Sequence, residues 1–511
     1  MLAKVKSATI QGIDAYPVEV EVHLERGQPS TTIVGLPDTA VKESKERVHA
    51  ALKNTGFYVA QRRAVVNLAP ASLKKEGPAF DLPIAVGLLV ASEQLRPAAV
   101  EDMIIAGELA LDGGIRPVAG CLPMALMARE SGKARMMVPR ENANEAAAVE
   151  GVEVFPVDTL TQTVAMLSGR QMLMPHALDV EALFASVDRY EADFAEVRSQ
   201  EGAKRGLVLA AAGGHNAIMI GPPGSGKTML AKRLPTILPK LSRKEALETT
   251  KVYSVAGLLG ADRPLMTVRP FRSPHHTTSY AGMVGGGTNP SPGEISLSHN
   301  GVLFLDELPE FDRRTLESLR QPIEDGVVTV SRVKASVQYP CNLMLIAAMN
   351  PCPCGYYTDP HRQCNCTPGQ IQRYLSKISG PLLDRIDIHI NVSAVAFRDL
   401  HRAREGESSA GIREQVERAR DIQMQRFRRA RITCNAQMNN RQVRRHCALD
   451  DKCARLLREA MEGMNLSARA YTRILKVART AADLAGHERI EPTDVTEAVQ
   501  YRCLDMVTPA W

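Results

Sequence analysis

Eight residues constrain this chain more than any others: Gly221-Pro222-Pro223-Gly224-Ser225-Gly226-Lys227-Thr228. They satisfy every fixed position of the phosphate-binding pattern G-x-x-x-x-G-K-[ST]. A short apolar run, Ala217 to Ile220, precedes them and predicts a buried strand. An apolar-periodic stretch, Met229 to Leu238, follows and predicts a helix. In a strand–loop–helix setting, glycines let backbone N–H groups turn inward around phosphate oxygens, and the helix N-terminus adds a positive dipole. Lys227 then reaches the β- and γ-phosphates, and Thr228 holds Mg²⁺. A chance glycine-rich turn is the competing reading; the complete pattern in this setting outweighs it. The chain is expected to bind a nucleoside triphosphate.

The 511 residues allow about three domains by length. Hydrophobic content of 44% and charged content of 23% are globular values. A net charge of +6 is modest, so binding a polyanion requires a local patch. The opening residues, MLAKVKSATIQ, are mixed and charged, unlike a signal peptide. The longest apolar run, Leu82 to Ala91, is about half of a membrane span. A cytoplasmic protein with no membrane partner is expected. Four of the ten cysteines fall between Cys352 and Cys366, which in the cytosol favours metal over disulfides.

The fold expected is multidomain α/β: an α+β domain over about 1–169, a linker over about 170–198, a P-loop α/β core over about 199–392, and a basic, helical end over about 393–511. In the first part, Val18 to Leu24 alternates apolar and charged residues and predicts a half-buried strand. Helices are predicted over 38–53, 82–95 and 122–131, and strands at 63–68, 135–138 and 152–157. Met103 to Val118 reads as a hairpin with a Gly-rich turn. Lys75-Glu-Gly-Pro-Ala79, Ile105-Ala-Gly-Glu-Leu, Ile115-Arg-Pro-Val-Ala-Gly120 and Val138-Pro-Arg-Glu-Asn142 resemble the proteolytic domain of Lon-type proteases, which has a ribosomal-S5-like fold. In that family a Ser–Lys pair cleaves peptides. The matching positions here are Ala79 and Leu122, which supply neither nucleophile nor base. The resemblance therefore implies a scaffold or binding module. Lys74 and Lys75 lie nearby and read as solvated.

Gln200 to Ala212 has helical apolar spacing and stops at Gly213-Gly214, a C-cap signal. Past the phosphate loop, Gly301-Val-Leu-Phe-Leu-Asp306-Glu307 describes a buried strand with two carboxylates at its C-terminal edge, where ligands sit in open α/β sheets. Asp306 would hold Mg²⁺ through water, and Glu307 would orient or deprotonate the attacking water. A further strand, Leu343 to Met349, ends at Asn350, which can contact the γ-phosphate or serve as turn chemistry before Pro351. Two inserts stand out. Val255 to Asn289 is a long polar loop with Gly and Pro punctuation. Gly326 to Gln338 reads as a hairpin with Arg332 and Lys334 near its tip, placed either to grip a phosphate backbone or as solvated turn charges.

Phe271-Arg-Ser-Pro-His-His-Thr-Thr, the run Pro292 to Phe311, and Ala348-Met-Asn-Pro-Cys-Pro-Cys-Gly355 closely resemble the ComM/YifB family across essentially the whole chain. These are magnesium-chelatase-like AAA+ ATPases with an inactive Lon-like domain in front. The resemblance implies a homo-hexameric ring, binding to single-stranded, duplex or branched DNA, and ATP-driven branch migration during natural transformation. A recombinase and other recombination proteins are implied partners. Arg385 falls where AAA+ proteins carry the finger that completes a neighbour's site; alone it also reads as a salt-bridge residue. A finger acting in trans requires a head-to-tail contact. Arg469, in Leu-Ser-Ala-Arg-Ala, matches the second sensor arginine of the helical lid, with Arg473 and Arg479 on nearby turns as alternatives.

Cys352, Cys354, Cys364 and Cys366 form C-x-C, nine residues, C-x-C. Four thiolates can close a tetrahedral structural Zn²⁺ site, with His361 as a substitute ligand; reduced or redox-active thiols are the other reading. From Ile422 to Arg445 there are seven arginines and no acid: Arg426, Arg428, Arg429, Arg431, Arg441, Arg444 and Arg445, with Phe427 between. This basic patch suits nucleic acid, or else a solvated or subunit face. Helices are predicted over 466–485 and from Glu491 onward. The rival functions are a magnesium-chelatase motor subunit acting on a porphyrin, a non-proteolytic AAA+ remodelling factor, an ATP-dependent protease and a DNA-binding scaffold. Ala79 and Leu122 weigh against the protease, and Lys227 with Glu307 against the scaffold.

Overall fold

In the computed structural model, which describes residues 2–58, 62–185, 192–260, 263–287, 290–332, 335–357, 359, 362–394, 406–430, 432–464 and 466–502, the chain divides into two units. The first comprises Met1–Ser186 with Arg243–Thr267, and the second Val187–Ser242 with Val268–Trp511.

The first unit is built on a seven-stranded sheet. Its strands are β1 (Leu2–Gln11), β2 (Asp14–Glu25), β3 (Ser30–Val34), β4 (Arg63–Ala69), β5 (Met103–Ile105), β6 (Arg135–Pro139) and β7 (Glu153–Val157). They lie in the order β3-β4-β2-β1-β5-β6-β7. β1 and β2 form an antiparallel hairpin, while β5, β6 and β7 pair in parallel. The alternation read in β2 holds: Val18, Val20, Val22 and Leu24 are buried. The helix Asp81–Ala91 is buried along its whole length, which its continuous apolar sequence requires. β1, β3 and the helix Leu160–Leu167 were not anticipated from the sequence.

The stretch 243–267, counted in the P-loop core by sequence, packs with the first unit. Its helix Arg243–Val255 lies on the helix Cys121–Glu130. The Gly120 amide donates to the Ser254 carbonyl at 3.1 Å, and the Ser254 hydroxyl bonds the buried Glu145 carboxyl. Lys251 pairs with Asp14 at 2.5 Å and Arg243 with Glu150 at 2.6 Å.

The second unit holds a five-stranded parallel sheet: β8 (Ala217–Ile220), β9 (Phe271–Arg272), β10 (Val302–Leu305), β11 (Met344–Met349) and β12 (Ile388–Asn391), in the order β9-β10-β11-β8-β12. Parallel strands covered on both faces read as continuous apolar runs, which is why β8, β10 and β11 were visible in sequence. The helix Glu201–Gly213 ends on Gly214 in the left-handed region, φ 68°, and feeds β8. The helix after the phosphate loop is Lys227–Arg233, shorter than predicted; it tightens into a 3-10 turn, Leu234–Ile237, where Pro235 has no N–H to continue the ladder. An antiparallel hairpin, Val327–Arg332 with Ala335–Pro340, forms where predicted; Lys334 and the side chain of Arg332 lie outside the described residues.

The C-terminal part is helical: Ser409–Phe427, Asn440–His446, Asp451–Gly463, Ala468–Ala485 and Pro492–Gln500. One apolar core runs through these helices and the sheet of the second unit. Among the described residues no helix is long and apolar enough to cross a membrane.

Candidate nucleotide site

Because β8, β10 and β11 are parallel neighbours, the residues after each emerge at one edge. The edge collects Gly221–Thr228 after β8, Asp306 and Glu307 after β10, and Asn350 after β11. Gly224 and Gly226 take φ of 75° and 88°, a region that side chains with a Cβ rarely enter. That conformation turns the loop into a concave run of amides ahead of Lys227.

Lys227 is buried. Its ammonium donates to the Gly221 carbonyl at 2.8 Å, the Pro222 carbonyl at 2.9 Å and the Asn350 side-chain oxygen at 3.2 Å. Burial lowers its pKa, and the Asp306 and Glu307 charges oppose that shift. The Thr228 hydroxyl donates to Asp306 Oδ2 at 2.6 Å. Two hard oxygens at that separation suit Mg²⁺, which takes one or two protein ligands and keeps several waters. Glu307 sits at φ 52° and its amide donates to Asp306 Oδ1 at 3.0 Å. A non-glycine residue held there stores on the order of 1–3 kcal/mol of strain, a cost that clusters at functional positions.

Two residues join the site that sequence reasoning did not assign. His276, in the loop after β9, places Nδ1 3.5 Å from Glu307 Oε2 and its ring edge-on to Phe311. The paired histidines in a polar loop following a sheet strand were the available signal. Gln200, also left-handed at φ 63°, donates from Nε2 to the Ser225 carbonyl at 2.6 Å, bracing the phosphate loop from behind.

The predicted arginines are engaged in ion pairs of their own. Arg385 is 12% exposed and pairs with Glu324 at 2.6 Å, with Nε donating to the Arg320 carbonyl. Arg469 is 72% exposed and pairs with the neighbouring Asp384 at 2.8 Å. Neither bonds a phosphate-loop residue. Arg473 is committed to buried Asp387 and Arg479 to buried Asp483.

The basic patch is smaller than its sequence suggested. Arg426 is drawn inward by Asp483 and Asn435, because a buried carboxylate demands a cation. Phe427 is buried, edge-on to His446, so it is core and not a stacking platform. Arg428, Arg429, Arg441, Arg444 and Arg445 are exposed; Arg431 lies outside the described residues.

In the first unit, Ala79 and Leu122 are both buried, and the Leu122 amide donates to Glu145 at 2.8 Å. Lys75 is not solvated as read: it is buried, its ammonium bonds the Pro70 and Leu73 carbonyls, and burial lowers its pKa.

Cys352, Cys354, Cys364 and Cys366 bring their sulfurs within 4.8 Å of one another and could hold a metal. Cys352 is 3.3 Å from Cys354 and 3.7 Å from Cys364, far beyond a disulfide. His361 lies outside the described residues.

Comparison with known proteins places this architecture in a class. The family model for magnesium chelatase, subunit ChlI, matches residues 193–400, that for subunit ChlI of Mg-chelatase matches 20–142, and that for the ChlI C-terminal part matches 406–502. The chain is thus a magnesium-chelatase-like AAA+ protein, a class that implies ATP and Mg²⁺. Competence protein ComM of Haemophilus influenzae is 45% identical over 98% of both chains. The protein YifB of Salmonella typhimurium is 45% identical over 99% of this chain and 97% of its own. The chain belongs to the ComM/YifB family. A weaker similarity, 22% identity over 29% of each chain, links it to Lon protease 2 of Bacillus subtilis.

Proposed function

We propose that this chain is an ATP-driven DNA motor that works as a homo-hexameric ring and migrates branched DNA during recombination. The observation that carries the ATPase part is the common sheet edge of Lys227, Thr228, Asp306, Glu307 and Asn350. Lys227 leaves its carbonyl partners for the β- and γ-phosphates. Thr228 and Asp306 would hold Mg²⁺, which would supply charge neutralisation at the phosphates. Glu307 orients and deprotonates water, and Asn350 positions it. Arg469 reaches the nucleotide from the helical lid. Arg385 serves the neighbouring copy's site, where a finger in trans supplies roughly 10³–10⁵ in rate. The cysteine cluster holds structural zinc. The first unit is a Lon-like, ribosomal-S5-like module without peptidase chemistry, since Ala79 and Leu122 offer no nucleophile or base.

The DNA reading is supported by the competence name of the Haemophilus relative and by the exposed arginines 428, 429, 441, 444 and 445. The test is ATP-dependent strand movement on a synthetic four-way or three-strand junction. A wild-type protein that hydrolyses ATP but neither binds DNA nor moves strands would favour the chelatase-type motor instead. Neutralising Arg444 and Arg445 together is expected to flatten the dependence of log binding constant on log salt, by roughly 0.7–0.9 per lost phosphate contact. An unchanged slope assigns these arginines to another face.

His276→Ala is expected to lower the ATP turnover number severalfold at unchanged nucleotide affinity, because it removes the neighbour of Glu307 and touches no phosphate-loop residue. Equal turnover numbers in steady-state assays would remove His276 from the site.

A further inference from the structure

We propose that the four-cysteine centre is the outer support of the phosphate loop, so that nucleotide affinity depends on the metal it holds. The inference rests on the nucleotide reading above and extends it to regulation of that site.

Three contacts connect the two. The first runs along the chain: Asn350, which accepts from Lys227, is two residues from Cys352, whose side chain is fully buried. The second is packing. Gly355 lies in a turn closed by its amide on the Cys352 carbonyl at 3.0 Å, with φ 85°. A Cβ on Gly355 would stand 2.5 Å from Cδ and 2.7 Å from Cγ of Pro223, within the phosphate loop. The cysteine turn and the phosphate loop thus meet backbone to ring with no side chain between them. The third closes the far end: Cys364 and Cys366 lead into the helix Pro368–Leu375, whose buried Tyr374 phenol lies near the Asn350 backbone and Cys352.

What holds this segment together is sulfur. The Tyr357 amide donates to Cys352 Sγ at 3.3 Å and the Cys366 amide to Cys364 Sγ at 3.4 Å. Such N–H groups steady thiolate ligands of a metal. A tetrahedral centre with Zn–S about 2.3 Å has S···S edges of about 3.8 Å. The separations among Cys352, Cys354 and Cys364, 3.3, 3.5 and 3.7 Å, lie close to that, and all four sulfurs lie within 4.8 Å of one another. Four thiolates select a borderline-soft cation such as Zn²⁺ and not the Mg²⁺ of the nucleotide site. The metal cross-links the ends of the 352–366 loop. Without it no coordinate bond ties the two C-x-C ends to each other, the turn opens, and Gly355 no longer backs Pro223.

The test uses the full-length chain, with zinc content by elemental analysis and affinity for a fluorescent methylanthraniloyl ATP. Protein purified without chelator is expected to carry about one zinc. Stripping it should weaken nucleotide binding at least about tenfold, a loss of about 1.4 kcal/mol, and adding Zn²⁺ back should restore it. Gly355→Ala, which forces a Cβ against Pro223 at a left-handed φ, should keep its zinc and show a comparable loss, with a lowered melting temperature. Cys364→Ser/Cys366→Ser should lose both zinc and affinity. Unchanged affinity in stripped protein, or in Gly355→Ala, overturns the inference. Zinc well under one equivalent in untreated protein overturns it as well. Failure of zinc-loaded wild type to bind the analogue would instead overturn the nucleotide reading, and this inference with it.

Discussion

Glu307→Gln is expected to keep ATP bound and to lower its hydrolysis by roughly 10²–10⁴-fold, the usual contribution of a positioned acid–base group. The amide matches the carboxylate in shape but cannot take a proton from water. The backbone around it should not relax, because the φ of 52° is held by a 3-10 turn in which the Glu310 amide donates to the Glu307 carbonyl at 2.8 Å. The His276 neighbour loses its charged partner, which is a surface-side loss of little stability. The measurement pairs phosphate release in a single turnover with binding of the fluorescent ATP analogue. Turnover near the wild-type rate would take the hydrolytic role away from Glu307. Loss of nucleotide binding would make it a structural residue.

The second large effect lies away from the phosphates. Asp483 is fully buried on the helix Ala468–Ala485 and is shared by Arg426, Arg479 and Asn435. Asp483→Ala leaves the buried Arg479 and the partly buried Arg426 without this counter-charge, which costs about 3–5 kcal/mol where one partner of a buried pair is removed. Urea unfolding followed by helical circular dichroism is expected to shift to clearly lower denaturant. A transition that stays in place would mean that water reaches these arginines. Arg426→Gln should act in the same direction with little change in DNA salt dependence, which separates it from Arg444 and Arg445.

Much of the second unit could be read from the sequence because parallel strands are apolar throughout and their ends carry the chemistry. The runs before Gly221, Asp306 and Asn350 were therefore found, with their functional neighbours. Pairings between distant segments could not be read. Nothing local in Arg426 announces that Asp483, 57 residues on, will bury it. Lys75 looks like any surface lysine until the carbonyls of Pro70 and Leu73 close around it. His276 lay in a loop whose return to Glu307 is fixed by the sheet order β9-β10, not by spacing. β1 was overlooked because its charges hide an alternation that burial of Ala3, Val5 and Ser7 reveals.

The placement of Arg243–Thr267 bears on how this gene can be cut and rejoined. The chain crosses between its units three times, after residues 186, 242 and 267. A fragment ending at 186 does not encode the first unit: it lacks Ser254, which meets Glu145, and Lys251, which meets Asp14. A fragment beginning at 187 carries Ala246, Thr249, Val252 and Tyr253 as a helix face whose buried setting has been discarded. Neither half is a cassette that recombination could exchange at a single breakpoint. A single cut therefore cannot separate the two units; residues 243–267 must be carried with the first.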